Sequence, residues 1–588
     1  ANQQVRNPSN NFVARVDHTF SDKDRVYGRL LTNTSFTNNL PVFATAGVDP
    51  YNTTSEGSYY SGSATWQHNF TPTTILETRY SYDRRKNISE SGGTDLGLAQ
   101  KLGILGTNQR FFPQVSITGL TGFGVGEHER LQVPIRGDHI TGNVTRIAGK
   151  HTIKYGGEFR RSSNDDVWSG SAGGVFGFNN TATGDALAAL LLGWANNGSR
   201  AEAPLIRSRA NAFGGFVQDD WKVSPRLTIN AGLRWDLDWP RWESYDNRQN
   251  SFDRNAINPV SGTPGVIKFM GLNGFRSQPY SFDKNNFGPR LGFAYKVGGS
   301  ERTVIRGGVG IFFAHPFDAG VPNAVALGFS QALTINTPDN GITAPFLLKN
   351  GVPNVSATRP ALNDSFGSVA VGQNPNTAVT FFETNRATGY SEQFNFGVQR
   401  QLSNSWVVEA STIGNLGRKL PSANLSINQI LPSLLGPTHQ AQRDRPFPQF
   451  SGVTIQGPTL GVSNYYGGLF RAEKRYSNGF NFNGSYTWSK FLENTNDTGT
   501  TAGRDAGPYS NFYNRRADYG PSANDIHHRV SMSGVYELPI GPGKTYLSKG
   551  VVGQVIGGWT LGSVAIMQSG PPMSVTTQTN NTNAFSAG

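Results

Sequence analysis

The sequence predicts an all-β fold, an antiparallel transmembrane β-barrel with short periplasmic turns and long extracellular loops. Three observations carry this: sustained two-residue periodicity, alternation of short and long connections, and aromatic residues at the ends of apolar faces. The segment from Phe213 to Trp239, FGGFVQDDWKVSPRLTINAGLRWDLDW, displays the periodicity most clearly. After Ser224-Pro225, the apolar Leu227, Ile229, Ala231, Leu233, Trp235, Leu237 and Trp239 alternate with Thr228, Asn230, Gly232, Arg234, Asp236 and Asp238. Successive strand side chains point to opposite faces, so this strand meets two different environments. It is long for a soluble strand, whereas a bilayer needs about 9–11 tilted residues. Before the turn Phe213, Gly215, Val217 and Trp221 keep the same parity, which Asp219 breaks.

The strand, turn, strand unit recurs along the chain. It begins with Phe12 to Phe20 and Arg25 to Phe36, followed by Ser58 to Phe70 and Ile75 to Arg84, then Asp138 to Ile147 and His151 to Arg161. Beyond the Phe213–Trp239 hairpin come Asn286 to Val297 with Arg302 to Phe313, and Ser391 to Gln401 with Ser405 to Ile413. Tyr466 to Tyr476 with Phe480 to Lys490 forms the seventh hairpin, and Arg529 to Leu538 pairs with a less regular strand near Trp559 to Gln568. This gives about sixteen strands, an even number as in bacterial barrels. Short turns close the hairpins, and long polar stretches separate them: 37–57, 85–127, 162–212, 240–285, 314–390, 414–465 and 491–528. A soluble sandwich or propeller has no reason to sort its loops this way. Trp221, Trp235, Trp239, Tyr295 and Trp488 are the lipid-interface aromatics, since their amphipathic rings suit the headgroup level.

Composition agrees with a barrel. Hydrophobic residues make up only 36% of the chain and mean hydropathy is −0.42, as expected where half of each strand faces a polar lumen. The apolar run Ala186 to Ala195 is too short to span as a helix and reads as a short buried or interfacial helix in a loop. The 71 glycines and 11% aromatic content suit turns and girdles, and the absence of cysteine excludes disulfides and thiolate metal sites. A net charge of +12 permits contact with anionic headgroups, but the basic residues are scattered singly and no nucleic-acid motif accompanies them, so no nucleic acid is expected as a partner. The polar start ANQQVRNPSNNF does not read as a signal peptide, as expected where one has been removed or the chain is a fragment.

Several segments also carry a family resemblance: RVDHTFSDKDRVYGR, GKHTIKYGGEFRR, FVQDDWKVSPRLTINAGLRWD, NNFGPRLGFAYKV, TVIRGGVGIFF, SNYYGGLFRAEKRYSNGFNFNGSYTWSK, DIHHR and GGWTLGSVAIMQSGPP. In this order, over nearly the whole chain, they resemble the barrel domain of Oar-like TonB-dependent outer-membrane receptors. The resemblance implies a barrel of about 22 strands blocked by a plug. It also implies energised uptake through the TonB energy-coupling complex, contacted by an N-terminal segment. Neither a plug, nor a TonB box, nor closing strands are recognisable here. Residues 1–588 are therefore expected to be a partial receptor barrel, an internal part of a longer protein.

Arg79, Arg160, Arg234, Asp236, Arg290, Arg306 and Arg529 fall on the polar parity of their strands and are the lumen-facing candidates. The arginines guide an anionic solute or dock an acidic plug surface, or else pair with lumen carboxylates such as Glu77, Glu158 and Asp236. In the loops, Trp168, Trp242, Tyr245 and Tyr280 are the substrate-contact candidates, and Trp194, Phe346 and Tyr509 accompany them. Such rings stack on sugars or grip peptides, or else pack loop on loop. No catalytic residue, metal site or cofactor is expected. Asp525, His527 and His528 imitate a metal cluster, but adjacent strand residues face opposite ways. Gly543-Lys544-Thr545 lacks the first glycine of a P-loop, where Leu538 stands. Three function classes follow. They are uptake of a bulky nutrient (oligosaccharide, peptide or chelate), an interaction barrel binding outer-membrane or extracellular proteins through its loops, and a passive porin. All three are multi-pass in the outer membrane and in contact with its lipid.

Overall fold

The computed structural model describes residues 7–39, 46–49, 53–124, 130–167, 171–202, 205–244, 248–299, 302–314, 327–329, 331–337, 339, 342–353, 361–434, 442–495 and 511–573. Sixteen long strands form one antiparallel meander, each paired with its neighbours in sequence. They are β1 Ser9–Thr19, β2 Asp24–Asn38, β3 Thr53–Thr71, β4 Thr74–Ser91, β5 Arg130–Ala148, β6 His151–Val167, β7 Ile206–Ser224 and β8 Leu227–Asp238. The second half comprises β9 Asn286–Lys296, β10 Thr303–Phe313, β11 Tyr390–Gln401, β12 Trp406–Leu420, β13 Gly461–Ser477, β14 Phe480–Glu493, β15 His528–Glu537 and β16 Thr560–Gln568. Pairings run unbroken from β1 to β16, and among the described residues none joins β16 back to β1.

Register keeps one parity on one face across the sheet. Leu233 of β8, for example, lies between Val217 of β7 and Pro289 of β9, and Leu291 of β9 lies between Ala231 and Val309. A one-residue slip would turn every side chain over, so this continuity holds the two faces apart. Short turns close the first seven hairpins. In the seventh, Asn478 (φ 52°) and Gly479 (φ 74°) both take the left-handed conformation that a two-residue type I′ turn requires. The eighth hairpin departs from the short-turn expectation: its connection, 538–559, carries a helical turn at Val551–Ile556.

Several strands outrun the sequence estimate. β3, β5 and β7 have 19 residues each, about eight more than a membrane crossing needs, so their ends away from the short turns extend beyond the hydrocarbon region. The β3 extension, Thr53 to Gly57, carries no apolar residue and so reads like loop.

The larger departure concerns the loops, which are not merely polar. Of the buried apolar residues among those described, only Ala212 and Leu237 belong to the sixteen strands. The others lie in the long connections, where small sheets and short helices enclose two apolar clusters. One cluster gathers Phe252 and Phe269 of the β8–β9 loop, Val379 and Phe381 of the β10–β11 loop, and Leu425 and Phe450 of the β12–β13 loop. The other joins Val115 and Ile117 of the β4–β5 loop, Phe176 and Phe178 of the β6–β7 loop, and Phe346 and Val352 of the β10–β11 loop. The β10–β11 loop thus serves both. The expected helix in the apolar run is present at Ala186–Leu191, its first N–H groups capped by Asp185, which accepts from the Ala188 N–H at 2.9 Å. No helix among the described residues is long and apolar enough to cross a membrane.

Candidate functional site: the lumen-facing wall

The lumen parity carries a charge cluster built from three strands. Glu158 of β6 is its hub: Oε1 accepts from Arg160 Nη2 at 3.0 Å and from Arg234 Nη2 of β8, and Oε2 lies 2.8 Å from His139 Nε2 of β5. Arg234 also donates from Nε to Asp236 Oδ1 at 2.9 Å. β7 lies between β6 and β8, and the residue it places there is Gly214, opposite Glu158 on one side and Asp236 on the other. A Cβ at Gly214 would collide with the Arg234 guanidinium, so the missing side chain is what lets the cluster bridge β7. The side chains of Glu158, Arg160 and Arg234 are only 16–22% exposed, which reduces solvent screening of the pairs. Parity alone points to Arg160, Arg234 and Asp236. His139 and Gly214 become visible only once register places them beside Glu158.

Nearer the short turns, β7 to β11 enclose a hollow of about 280 Å³ in the same wall. Gly232, Gly292, Gly308 and Gly310 supply no side chains to fill it, and Gln218, Asn230, Gln393 and Asn395 bring carboxamides to it. Arg290 stands at its edge with its guanidinium over the Phe312 ring, 4.4 Å from the centroid. Unlike Arg234, Arg290 meets no carboxylate within ion-pair distance among the described residues. Arg306 donates to Gln399 Oε1 at 2.8 Å. Arg79 and Arg529 hold lumen parity opposite Thr141 and Thr487 and join neither group. Carboxamides both donate and accept, so the hollow suits a polar solute, while the cluster above it presents fixed charge.

On the opposite parity, Trp221, Trp235, Tyr295 and Trp488 are exposed between 36% and 62%, as an outward girdle would be. Trp235 stacks on Phe287 at 5.8 Å and donates from Nε1 to the Lys284 carbonyl at 2.9 Å. Trp239 lies just past β8 and stacks on Phe282 of the following loop at 5.1 Å. The parity break at Asp219 has a local cause. Its Oδ2 lies 2.6 Å from His151 Nδ1, and the His151 ring stacks on Trp221. Asp24 of the first hairpin repeats the arrangement, 2.7 Å from His68 Nδ1 and accepting from Trp66 Nε1 at 3.1 Å. Both carboxylates sit beside short turns, where headgroups and water make outward charge tolerable.

Of the loop aromatics, Trp168, Tyr245 and Tyr509 lie outside the described residues. Trp242 sits on a two-residue strand paired to Arg209 of β7. Tyr280 contacts Phe382 edge to face at 5.8 Å, and the Arg386 guanidinium lies 5.7 Å from one ring centroid and 5.5 Å from the other. Arg386 is 8% exposed and donates from Nη1 to the Gly457 carbonyl at 2.6 Å. Burial pushes its pKa below the usual guanidinium range, with Tyr280 opposing. Phe346 is buried in a loop cluster. His527 Nε2 lies 3.0 Å from Asp525, whereas His528 Nδ1 lies 2.8 Å from Tyr486 Oη, so the neighbouring histidines serve different partners. No group of three metal-ligating side chains occurs among the described residues.

Comparison with known proteins adds the following. The family described as an outer membrane beta barrel domain matches residues 1–588. No curated protein sequence matches the chain. Among solved structures, it is similar to the outer membrane transporter YddB from Escherichia coli, at 10% identity and a TM-score of 0.50 over 91% of this chain and 55% of that one. Also similar are the alcaligin outer membrane receptor FauA from Bordetella pertussis (10%, 0.43, 96% and 61%) and the ferric-catecholate import receptor Fiu from Escherichia coli K12 (10%, 0.42, 91% and 63%). The chain spans 55–63% of the length of these three proteins. At this identity the likeness is one of fold.

Proposed function

Since the chain belongs to the outer membrane beta barrel domain family, we propose that it is the barrel of an energy-coupled receptor taking up a bulky nutrient, an oligosaccharide, a peptide or a chelate. The protein is a multi-pass outer-membrane barrel. The observation that carries the uptake reading is the lumen wall itself. A charge cluster centred on Glu158 stands above a glycine-floored, carboxamide-lined hollow with Arg290 at its edge. A wall that served only to enclose space would not need a glycine-floored recess beside a cation that, among the described residues, meets no carboxylate. In this mechanism the loop bodies select the solute, the wall contacts it in transit, and a TonB complex acting through a segment outside this chain supplies the energy.

The test is uptake of a panel of labelled oligosaccharides, peptides and metal chelates by cells carrying the full-length gene, compared with a deletion strain. Uptake that depends on the gene and stops when a protonophore collapses the proton-motive force is expected. Arg290→Ala should reduce it about tenfold, as loss of a charged hydrogen-bond donor to solute would, while barrel assembly is retained. Gene-dependent uptake that persists in the protonophore would instead support a passive porin. A second reading rests on the loop clusters, whose packed cores offer rigid surfaces to an outer-membrane or extracellular protein. Unchanged uptake in the deletion strain across the panel would favour it.

A further inference from the structure

The lipid-facing side of β11 to β15 is not uniformly filled. Register aligns Arg400, Val408, Ala472, Gly484 and Met532 in one row across the five strands. On one side runs a row containing Phe470 and Tyr486, whose rings stack at 6.4 Å, and on the other Phe482 stands 6.4 Å from Trp406. Small side chains between two aromatic banks leave a trough of about 610 Å³, and all five aligned residues line it. Lipid tails fill such space without polar partners, and the trough lies on the parity that Leu233 and Leu291 share.

Its cationic end gives it direction. Arg400 is exposed, on lipid parity, one residue from the end of β11 at the short-turn side. A charge there avoids most of the penalty it would meet at the midplane. Arg471 is occupied by Glu473 at 3.1 Å, and Lys474 donates to the Ser477 and Phe480 carbonyls at 2.8 and 2.7 Å. Among the described residues, no carboxylate stands within ion-pair distance of Arg400. An uncompensated guanidinium at the headgroup level, opening onto an apolar trough, complements a phosphodiester attached to an acyl chain.

We propose that this trough is a binding site for one glycerophospholipid of the periplasmic leaflet, its phosphate on Arg400 and an acyl chain across Ala472 and Gly484. The site is independent of the uptake reading, since it lies on the opposite face of the wall. Native mass spectrometry of the full-length protein, delipidated in detergent and titrated with phosphatidylglycerol, tests it. One tightly retained lipid is expected for the unaltered protein, with binding weakened about tenfold by Arg400→Gln, which removes the phosphate partner, and by Ala472→Phe, which fills the trough. Ala64→Phe, on the lipid parity of β3 and far from the trough, should bind as the unaltered protein does. Equal retention by all three variants would overturn the proposal. So would a lipid-free dimer that Ala472→Phe turns into a monomer, because the trough would then seat a second copy. If Ala472→Phe fails to assemble, Arg400→Gln alone decides.

Discussion

Asp525 joins the β14–β15 loop to the barrel by a single carboxylate. Its Oδ1 accepts from the Phe491 N–H at 2.7 Å and its Oδ2 from Lys490 Nζ at 3.0 Å, both on β14. Burial by itself would raise its pKa, but the Lys490 ammonium, the Phe491 N–H and the nearby positive charge outweigh it, and the group titrates below the usual carboxylate range. A depressed carboxylate contributes stability in full above its unfolded value of about 3.9, and loses it as pH falls through the lower folded value. Hydrogen exchange at the Phe491 amide should therefore be slow and flat from neutral pH down to roughly pH 4, after correction for intrinsic exchange, and accelerate below it. Asp525→Asn should raise exchange at neutral pH by an amount equivalent to about 1–3 kcal/mol of local opening. A Phe491 amide equally protected in both proteins would remove this role from Asp525. The sequence marks Asp525 only as a false metal ligand. Its real partners come from a strand more than thirty residues away, and pairing of that kind has no local signal.

At the scale of the hairpin, legibility follows solvent contrast. β8 and β9 were readable because each side chain meets lipid or lumen in strict alternation, so Leu233 and Arg234 declare their faces without reference to a partner. The upper end of β3, Thr53 to Gly57, is not, since it carries no apolar residue to alternate. The loop clusters are illegible in the sequence because their members are scattered over separate loops. Phe252, Phe381 and Phe450 come from three different loops, and each looks like an isolated apolar residue in polar sequence. In the lumen wall, parity supplied Arg234 and Arg290 but not the glycine gap at Gly214 or the carboxamide ring of the hollow, which exist only across strands. The facing itself is testable in one pair of variants. Leu233→Arg should cost about 2–4 kcal/mol near the bilayer midplane, seen as reduced heat-resistant barrel on gel after refolding into vesicles, while Thr228→Ala on the lumen parity should refold normally. Equal defects would mean that the faces are assigned wrongly.

The whole molecule has two kinds of stability separated in space. Its membrane wall is held by sixteen strands of ladder hydrogen bonds with lipid on one side, and among the described residues its dry apolar packing lies almost wholly in the loop bodies. Backbone groups in hydrocarbon cannot turn to water, so the ladder is strongly favoured without a central core. The loops are in water and depend on ordinary burial. Phe450 is fully buried there, edge to face with Phe252 at 5.7 Å, and Asn428 ties its carbonyl at 3.1 Å. Phe450→Ala should therefore cost about 3–5 kcal/mol, drawn from the loop body and not from the wall. Limited proteolysis should cut the β8–β9, β10–β11 and β12–β13 loops much faster in the variant, because one cluster holds all three, while the thermal transition of the strands measured by circular dichroism stays where it was. The second cluster shares only the β10–β11 loop with the first, so protection of the β4–β5 and β6–β7 loops should be largely kept. A fall in the strand transition matching the loss of loop protection would show that wall and loops unfold as one unit, and that the loop bodies brace the barrel instead of resting on it.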